Sequence, residues 1–187
     1  MAVTDLGARV VARLVRPRLD ALPTPAALAR AIDDAGVRVW HARRVHGLPG
    51  LLERIDHLVV GRAGAFVVDE HGVPGRPHRV VDGGLVRPKT ERLVVGSRTC
   101  SALVDAVRAH VDVVRAALDA ADLVDVPVRG LLCLPAADWS AAADGLVVGQ
   151  VEVVPPAVVR GEVVAGGPLD DVTLERAHAL LGAVFAR

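Results

Sequence analysis

Aromatic residues are scarce in this sequence, which has two tryptophans, two phenylalanines and no tyrosine among its 187 residues. Proteins that bind single-stranded nucleic acid by stacking its bases use several exposed aromatic rings. That mode of binding is therefore excluded here. The core must pack through aliphatic side chains, which are plentiful because 52% of the residues are hydrophobic.

Lysine is even rarer, since Lys89 is the only one in the chain. The 22 basic residues are otherwise arginines, and 22 acidic residues balance them to a formal net charge of zero. This balance excludes a strongly basic protein that coats DNA. A reaction that depends on a lysine has one candidate only.

Cysteines and long apolar runs are also lacking. Cys100 and Cys133 are too few and too far apart for a disulfide framework or a four-cysteine zinc site. No apolar run reaches the length of a membrane span, and the first 20 residues lack the apolar segment of a secretory leader. We therefore expect a cytoplasmic protein without a membrane partner. An arginine-rich helical extension is predicted over residues 1–22, and a single domain over residues 23–187.

The pattern of apolar residues, glycines and prolines predicts an α/β fold. Four-residue and three-residue spacings of apolar side chains indicate helices, whereas alternating or continuous short runs indicate strands. Helices are predicted over residues 26–35, 100–121 and 174–185, the last capped by Thr173, and strands over residues 37–40, 55–60, 65–69, 92–95, 128–134 and 146–154, the last kinked at Gly149. Residues 72–88 are predicted to form an exposed loop with one short strand. The order of these elements predicts a mixed β-sheet flanked by helices.

Two aspartates at the ends of a predicted hairpin are the most informative feature. If the turn is centred on residues 62 and 63, Val60 faces Ala65, Leu58 faces Val67, and Asp56 faces Asp69. Facing residues of antiparallel strands have their Cβ atoms about 5 Å apart and share one side of the sheet. The register therefore predicts two adjacent carboxylates, which are unstable together unless a positive charge or a proton offsets them.

The spacing leaves two explanations open for this pair. A divalent cation such as Mg²⁺ or Mn²⁺ prefers carboxylate oxygens and often uses only one or two of them. Alternatively, the strand ends lie in solvent, where Arg54 or another arginine neutralises both aspartates.

Three segments carry a resemblance to a known family. They are Val39-Trp40-His41-Ala42-Arg43-Arg44-Val45, Ile55-Asp56-His57-Leu58-Val59-Val60-Gly61 and Gly64-Ala65-Phe66-Val67-Val68-Asp69. Together they resemble the nuclease-related domain (NERD) family, which is related to the PD-(D/E)xK nucleases. The resemblance continues through residues 93–99, the following helix and residues 128–133.

This resemblance implies a restriction-endonuclease-like fold and a site that cleaves phosphodiester bonds with Mg²⁺ or Mn²⁺. Asp56 and Asp69 match the two acidic positions of the family motif and would be metal ligands. The backbone carbonyl of Glu70 would add a third oxygen. His71 occupies the position of the motif lysine and would act as a general base or, when protonated, as a cation.

The chain departs from the family pattern in three ways. Histidine replaces the motif lysine at position 71. Pro23-Thr24-Pro25 stands where members commonly carry a Gly-Glu pair, and the long helix lacks the glutamine often seen there, since Gln150 is the only glutamine. We therefore predict a catalytically impaired or silent nuclease fold that binds nucleic acid or a protein partner. The alternative is an active Mg²⁺- or Mn²⁺-dependent nuclease using Asp56, Asp69 and His71.

Two other histidines have positions that bear on the site. Strand alternation places His57 on the opposite face from Asp56, which predicts a structural role. His110 lies between Val107 and Val114 on the apolar face of the long helix, so we expect it to point towards the sheet.

Overall fold

A computed structural model describes residues 25–35, 37–45, 53–84 and 88–185. The predicted N-terminal extension over residues 1–22 lies outside these ranges. The helices are α1 (Pro25–Asp33), α2 (Ser101–Asp119), α3 (Pro156–Val163) and α4 (Asp171–Val184). The strands are β1 (Arg38–Arg44), β2 (Arg54–Gly61), β3 (Gly64–Glu70), β4 (Pro77–Asp82), β5 (Thr90–Val95), β6 (Arg98–Thr99), β7 (Val128–Cys133), β8 (Leu146–Val148) and β9 (Val151–Val154).

Six of these strands form one mixed sheet in the order β1-β2-β3-β7-β9-β8. The pairs β1–β2, β2–β3 and β8–β9 are antiparallel, whereas β3–β7 and β7–β9 are parallel. The predicted mixed sheet flanked by helices is confirmed. This architecture is consistent with a restriction-endonuclease-like fold.

Alternating side chains along the central strands divide the core between the two faces of the sheet. Leu58 and Val60 of β2 belong to the larger cluster, together with apolar residues of α2 and α4. Val59 belongs to the smaller cluster, together with apolar residues of α1 and α3. Burial on both faces explains why residues 58–61 of β2, 64–68 of β3 and 130–133 of β7 are continuously apolar.

Glycine at position 130 brings α2 close to the sheet. A Cβ atom there would lie 2.7 Å from a methyl group of Val107 and 3.0 Å from one of Val111. Both distances are shorter than van der Waals contact, and both methyl groups belong to α2. The long helix therefore packs directly over β7, which sets the height of its inward side chains above the sheet.

The prediction of one kinked strand over residues 146–154 was wrong. Gly149 and Gln150 have φ values of 53° and 70°, and they connect two antiparallel strands, β8 and β9. Consecutive left-handed residues are what a two-residue hairpin of type I′ requires. Glycine suggested a kink, but the tight turn also needs the unusual backbone angle of Gln150.

Two further differences concern helices. The prediction omitted α3, which begins with Pro156 at its first turn, a position that favours proline. The cap of α4 is Asp170 rather than Thr173, because the Asp170 carboxylate accepts a hydrogen bond from the backbone N–H of Thr173 at 2.7 Å. Thr173 therefore lies inside the first turn.

A separate three-stranded sheet, β4-β5-β6, is formed by the segment between β3 and α2. The short strand expected within residues 72–88 is β4, and its side chains are mostly exposed. No helix in the described part of the chain is both long enough and apolar enough to cross a membrane.

Candidate active site

The β2–β3 hairpin has the predicted register. Val60 pairs with Ala65 and Leu58 pairs with Val67 across the connection at residues 62 and 63. The regular ladder ends one step before the aspartates, at the pair of His57 and Val68. Asp56 and Asp69 therefore meet where the two strands begin to separate.

Side chains continue the pairing beyond the end of the ladder. The backbone N–H of Asp56 donates a hydrogen bond to Oδ1 of Asp69 at 3.2 Å. In return, Oδ2 of Asp56 accepts a hydrogen bond from the backbone N–H of Glu70 at 3.0 Å. Each carboxylate thus binds the opposite strand, and these two bonds fix the orientation of both acids.

His110 on α2 holds the second oxygen of Asp69. Its Nδ1 lies 2.9 Å from Oδ2 of Asp69, and the two side chains are 0% and 5% exposed. Charge-assisted hydrogen bonds are stronger and more restrictive when water is excluded. The prediction that His110 points towards the sheet is confirmed, and its contact with Asp69 joins α2 to the candidate site.

Arg54 contacts the first acid. Its Nη2 atom donates to Oδ1 of Asp56 at 3.1 Å, and the Arg54 side chain is 61% exposed. If the two aspartates were neutralised without a metal ion, an arginine such as Arg54 was expected to neutralise both. Arg54 is present, but its contact is with Asp56. Asp69 is held by His110 and by the backbone of Asp56 instead.

Glu70 supplies a third carboxylate at the same strand ends. Both of its carboxylate oxygens are buried and, in the described part of the chain, have no hydrogen-bond partner. Burial raises the pKa of Glu70, and the negative charge of Asp56 raises it further. A buried carboxylate without a donor is costly, and a bound cation would satisfy it.

The carboxylates of Asp56, Asp69 and Glu70 offer a metal ion a limited set of oxygen ligands. Among the described residues, no group of three or more His, Cys, Asp or Glu side chains has an arrangement that could hold one. Mg²⁺, however, commonly binds proteins through only one or two carboxylates and completes its shell with water and substrate phosphate. The Asp56–Asp69 pair beside the unsatisfied Glu70 fits that limited mode of binding.

A cavity of about 460 Å³ opens over the acids. Its lining is charged and comes from the ends of three adjacent strands and the residues that flank them: Arg44, Glu53, Arg54, Asp56, Asp69, Glu70 and His71. The cavity therefore places acidic side chains beside the permanent cations Arg44 and Arg54.

His71, which the resemblance assigns to the position of the motif lysine, lines this cavity and is partly buried. Its backbone N–H donates to the carbonyl of Cys133 at 3.0 Å, so the segment stays attached to β7 beyond the end of β3. Lys89 is exposed and is not among the residues that line the cavity. Lys89 therefore supplies no charge to the lining of this cavity.

His57 has the structural position that strand alternation predicted. It is 7% exposed, and its Nδ1 lies 2.7 Å from Nδ1 of His41 on β1. Nε2 of His41 lies 3.1 Å from Oδ1 of Asp33 at the end of α1. Burial lowers the pKa of His57 to about 4, with a further contribution from His41. These residues tie α1 to the sheet.

The sequence model of the nuclease-related domain (NERD) family matches residues 25–135. The chain belongs to this family. No curated protein and no solved structure matches the chain. The matched region runs from α1 through β7, so it includes all seven residues that line the cavity and also His110.

Two residues that line the site in this NERD domain, Arg44 and Glu53, were not predicted to do so. Arg44 ends β1, a strand that was predicted to stop at Trp40, and its register partner is Arg54. Only the β1–β2 pairing brings Arg44 to the cavity. The two consecutive arginines at positions 43 and 44 are the signal that could have identified Arg44. They lie within the segment 39–45 that carries the family resemblance.

Proposed function

We propose that this NERD domain binds a divalent cation and nucleic acid at the cavity over Asp56 and Asp69, and that it hydrolyses phosphodiester bonds only slowly. The observation that carries the proposal is the site itself. Two carboxylates are held in fixed orientations by the opposite strand, beside a histidine at the position of the motif lysine. Membership of the nuclease-related family also supports nucleic acid as the ligand and phosphodiester hydrolysis as the reaction.

Asp56 and Asp69 would hold the cation, and Glu70 would contribute through its backbone carbonyl or its unsatisfied carboxylate. When bound, the cation would neutralise charge that develops on the phosphate during hydrolysis. His110 keeps one oxygen of Asp69 in place. Fixed ligands limit the reorganisation needed when the substrate arrives.

Position 71 explains why hydrolysis should be slow. A lysine carries a compact permanent positive charge at pH 7, whereas a histidine offers no permanent charge. Loss of one group that stabilises charge in a transition state typically lowers kcat by about 10²- to 10³-fold. The binding of cation and phosphate depends on the other charged residues, and so it should survive the replacement.

The test is a gain of function. Cleavage of single- and double-stranded DNA and RNA is measured with Mg²⁺ or Mn²⁺ for the wild type, His71→Lys and Asp56→Asn. We expect His71→Lys to raise the cleavage rate at least about tenfold, and Asp56→Asn to abolish cleavage while leaving the protein folded. His78→Lys is the matched control, because His78 is an exposed histidine outside the cavity lining and gains the same charge.

The outcomes separate two functions. A second candidate, an active nuclease in which His71 itself transfers protons, is favoured by the presence of His71 in the cavity. In that case His71→Lys would be no faster than the wild type, and His71→Ala would lose activity. Absence of cation binding and of nucleic-acid binding in the folded wild type would refute the proposal.

A further inference from the structure

Two arginines in the cavity lining face each other, and the contact of Arg54 with Asp56 does not explain why Arg44 lies opposite it. Arg44 at the end of β1 and Arg54 at the start of β2 are direct register partners. Like charges directly opposite each other on antiparallel strands are destabilising. Both residues line the cavity. An arrangement of two facing guanidinium groups is favourable when an anion binds between them or beside them.

Arg54 also contacts the oxygen through which Asp56 would bind a cation. Oδ2 of Asp56 accepts the backbone N–H of Glu70, and Oδ1 accepts Nη2 of Arg54. A divalent cation bound at Oδ1 would lie beside the positive guanidinium, which would weaken its binding. Because Arg54 is 61% exposed, its flexible side chain is able to turn away from Asp56 without disturbing the core.

We propose that Arg44 and Arg54 form the phosphate-binding pair of this site, and that Arg54 moves from Asp56 to a nucleic-acid phosphate when a divalent cation binds Asp56. This inference rests on the proposed function, because it assumes that both ligands enter the cavity. It assigns phosphate binding to two arginines of β1 and β2, and it leaves slow hydrolysis to the charge that is missing at position 71. The exchange also couples the two ligands. A bound phosphate attracts Arg54 away from Asp56, which strengthens cation binding, and a bound cation releases Arg54 to contact the phosphate.

The exchange predicts opposite effects of one substitution. In Arg54→Gln the guanidinium no longer competes for Asp56, so the affinity for Mn²⁺ without nucleic acid should rise about threefold to tenfold. Affinity for a phosphorothioate oligonucleotide in the presence of Mn²⁺ should fall about tenfold. The logarithm of this affinity falls linearly with the logarithm of the salt concentration, and the magnitude of that slope should be smaller by about one in Arg54→Gln. Arg54→Lys should keep most of the wild-type behaviour.

The control is Arg108→Gln on α2. Arg108 forms an exposed ion pair with Asp105 at 3.0 Å and is outside the cavity lining, so this substitution removes the same charge from the same kind of pair. Titration calorimetry with Mn²⁺ and fluorescence anisotropy with the oligonucleotide provide the two affinities. Thermal unfolding establishes that each variant is folded.

The design distinguishes failure of this inference from failure of the proposed function. If Asp56→Asn removes Mn²⁺ binding while Arg54→Gln and Arg108→Gln bind Mn²⁺ equally, the exchange by Arg54 is refuted and the cation site remains. Weaker Mn²⁺ binding in Arg54→Gln, or an unchanged salt slope, would also refute the exchange. If the wild type and Asp56→Asn bind Mn²⁺ alike, the cation site itself is wrong, and both proposals fall.

Discussion

The contact between Asp69 and His110 should contribute strongly to the stability of the fold. It joins β3 to α2 across the larger core cluster, and the two side chains are almost inaccessible to water. If the pair were merely two adjacent carboxylates, removing Asp69 would relieve repulsion and stabilise the chain. The hydrogen bond from His110 predicts the opposite sign, because removal of either partner leaves a buried polar group unsatisfied.

The magnitude follows from the burial of the pair. Removing the hydrogen-bond partner of a buried carboxylate or of a buried imidazole leaves that group unsatisfied, which costs about 3 kcal/mol. We therefore expect Asp69→Ala and His110→Leu each to lower the free energy of unfolding by about 3 kcal/mol. For a domain of this size that loss corresponds to a decrease in Tm of about 6 to 12 °C. The two losses should not add, because the second substitution removes a group that has already lost its partner.

The assay is a double-mutant cycle followed by chemical denaturation. The coupling free energy between Asp69 and His110 should be about 1.5 to 3 kcal/mol. A parallel cycle with Asp105→Ala and Arg108→Leu measures an exposed pair on the same helix. That cycle should give less than about 1 kcal/mol.

Two results would refute this reasoning. The first is a buried coupling no larger than the exposed one, which would mean that the hydrogen bond contributes little. The second is an increase in the stability of the metal-free protein on substituting Asp69, which would mean that carboxylate repulsion dominates the site.

Two further predictions concern acid stability and helix packing. The pKa of His57 is lowered from 6.5 to about 4, so the unfolded chain binds a proton between these values that the folded chain does not. The free energy of unfolding should fall by about 3 kcal/mol from this cause as the pH drops from 6.5 to 4, and His57→Gln should flatten that part of the curve in denaturation experiments. An identical pH dependence for the variant would contradict the burial of His57. Gly130→Ala should cost about 1 to 3 kcal/mol because its methyl group would collide with Val107 on α2, whereas Gly84→Ala, which has open space around it, should leave Tm unchanged.

Local patterns predicted the main elements of the sheet. Alternation and turn chemistry depend on neighbouring residues, and so the hairpin over β2 and β3 and its register followed from the sequence. The periodicity of α2 likewise followed from local spacing. One error occurred where the backbone angle of a single residue decided the path of the chain, at Gln150 with its φ of 70°.

The candidate site was determined by the sequence only in part. The hairpin register was sufficient to bring Asp56 towards Asp69, because the two residues lie on the two strands of one hairpin. The partners of these acids come from elements distant in the chain: His110 approaches Asp69 because α2 packs over β7 at Gly130, and Arg44 reaches the cavity through the pairing of β1 with β2. Sequence spacing cannot supply such contacts, since they depend on how helices and strands pack after the chain has folded.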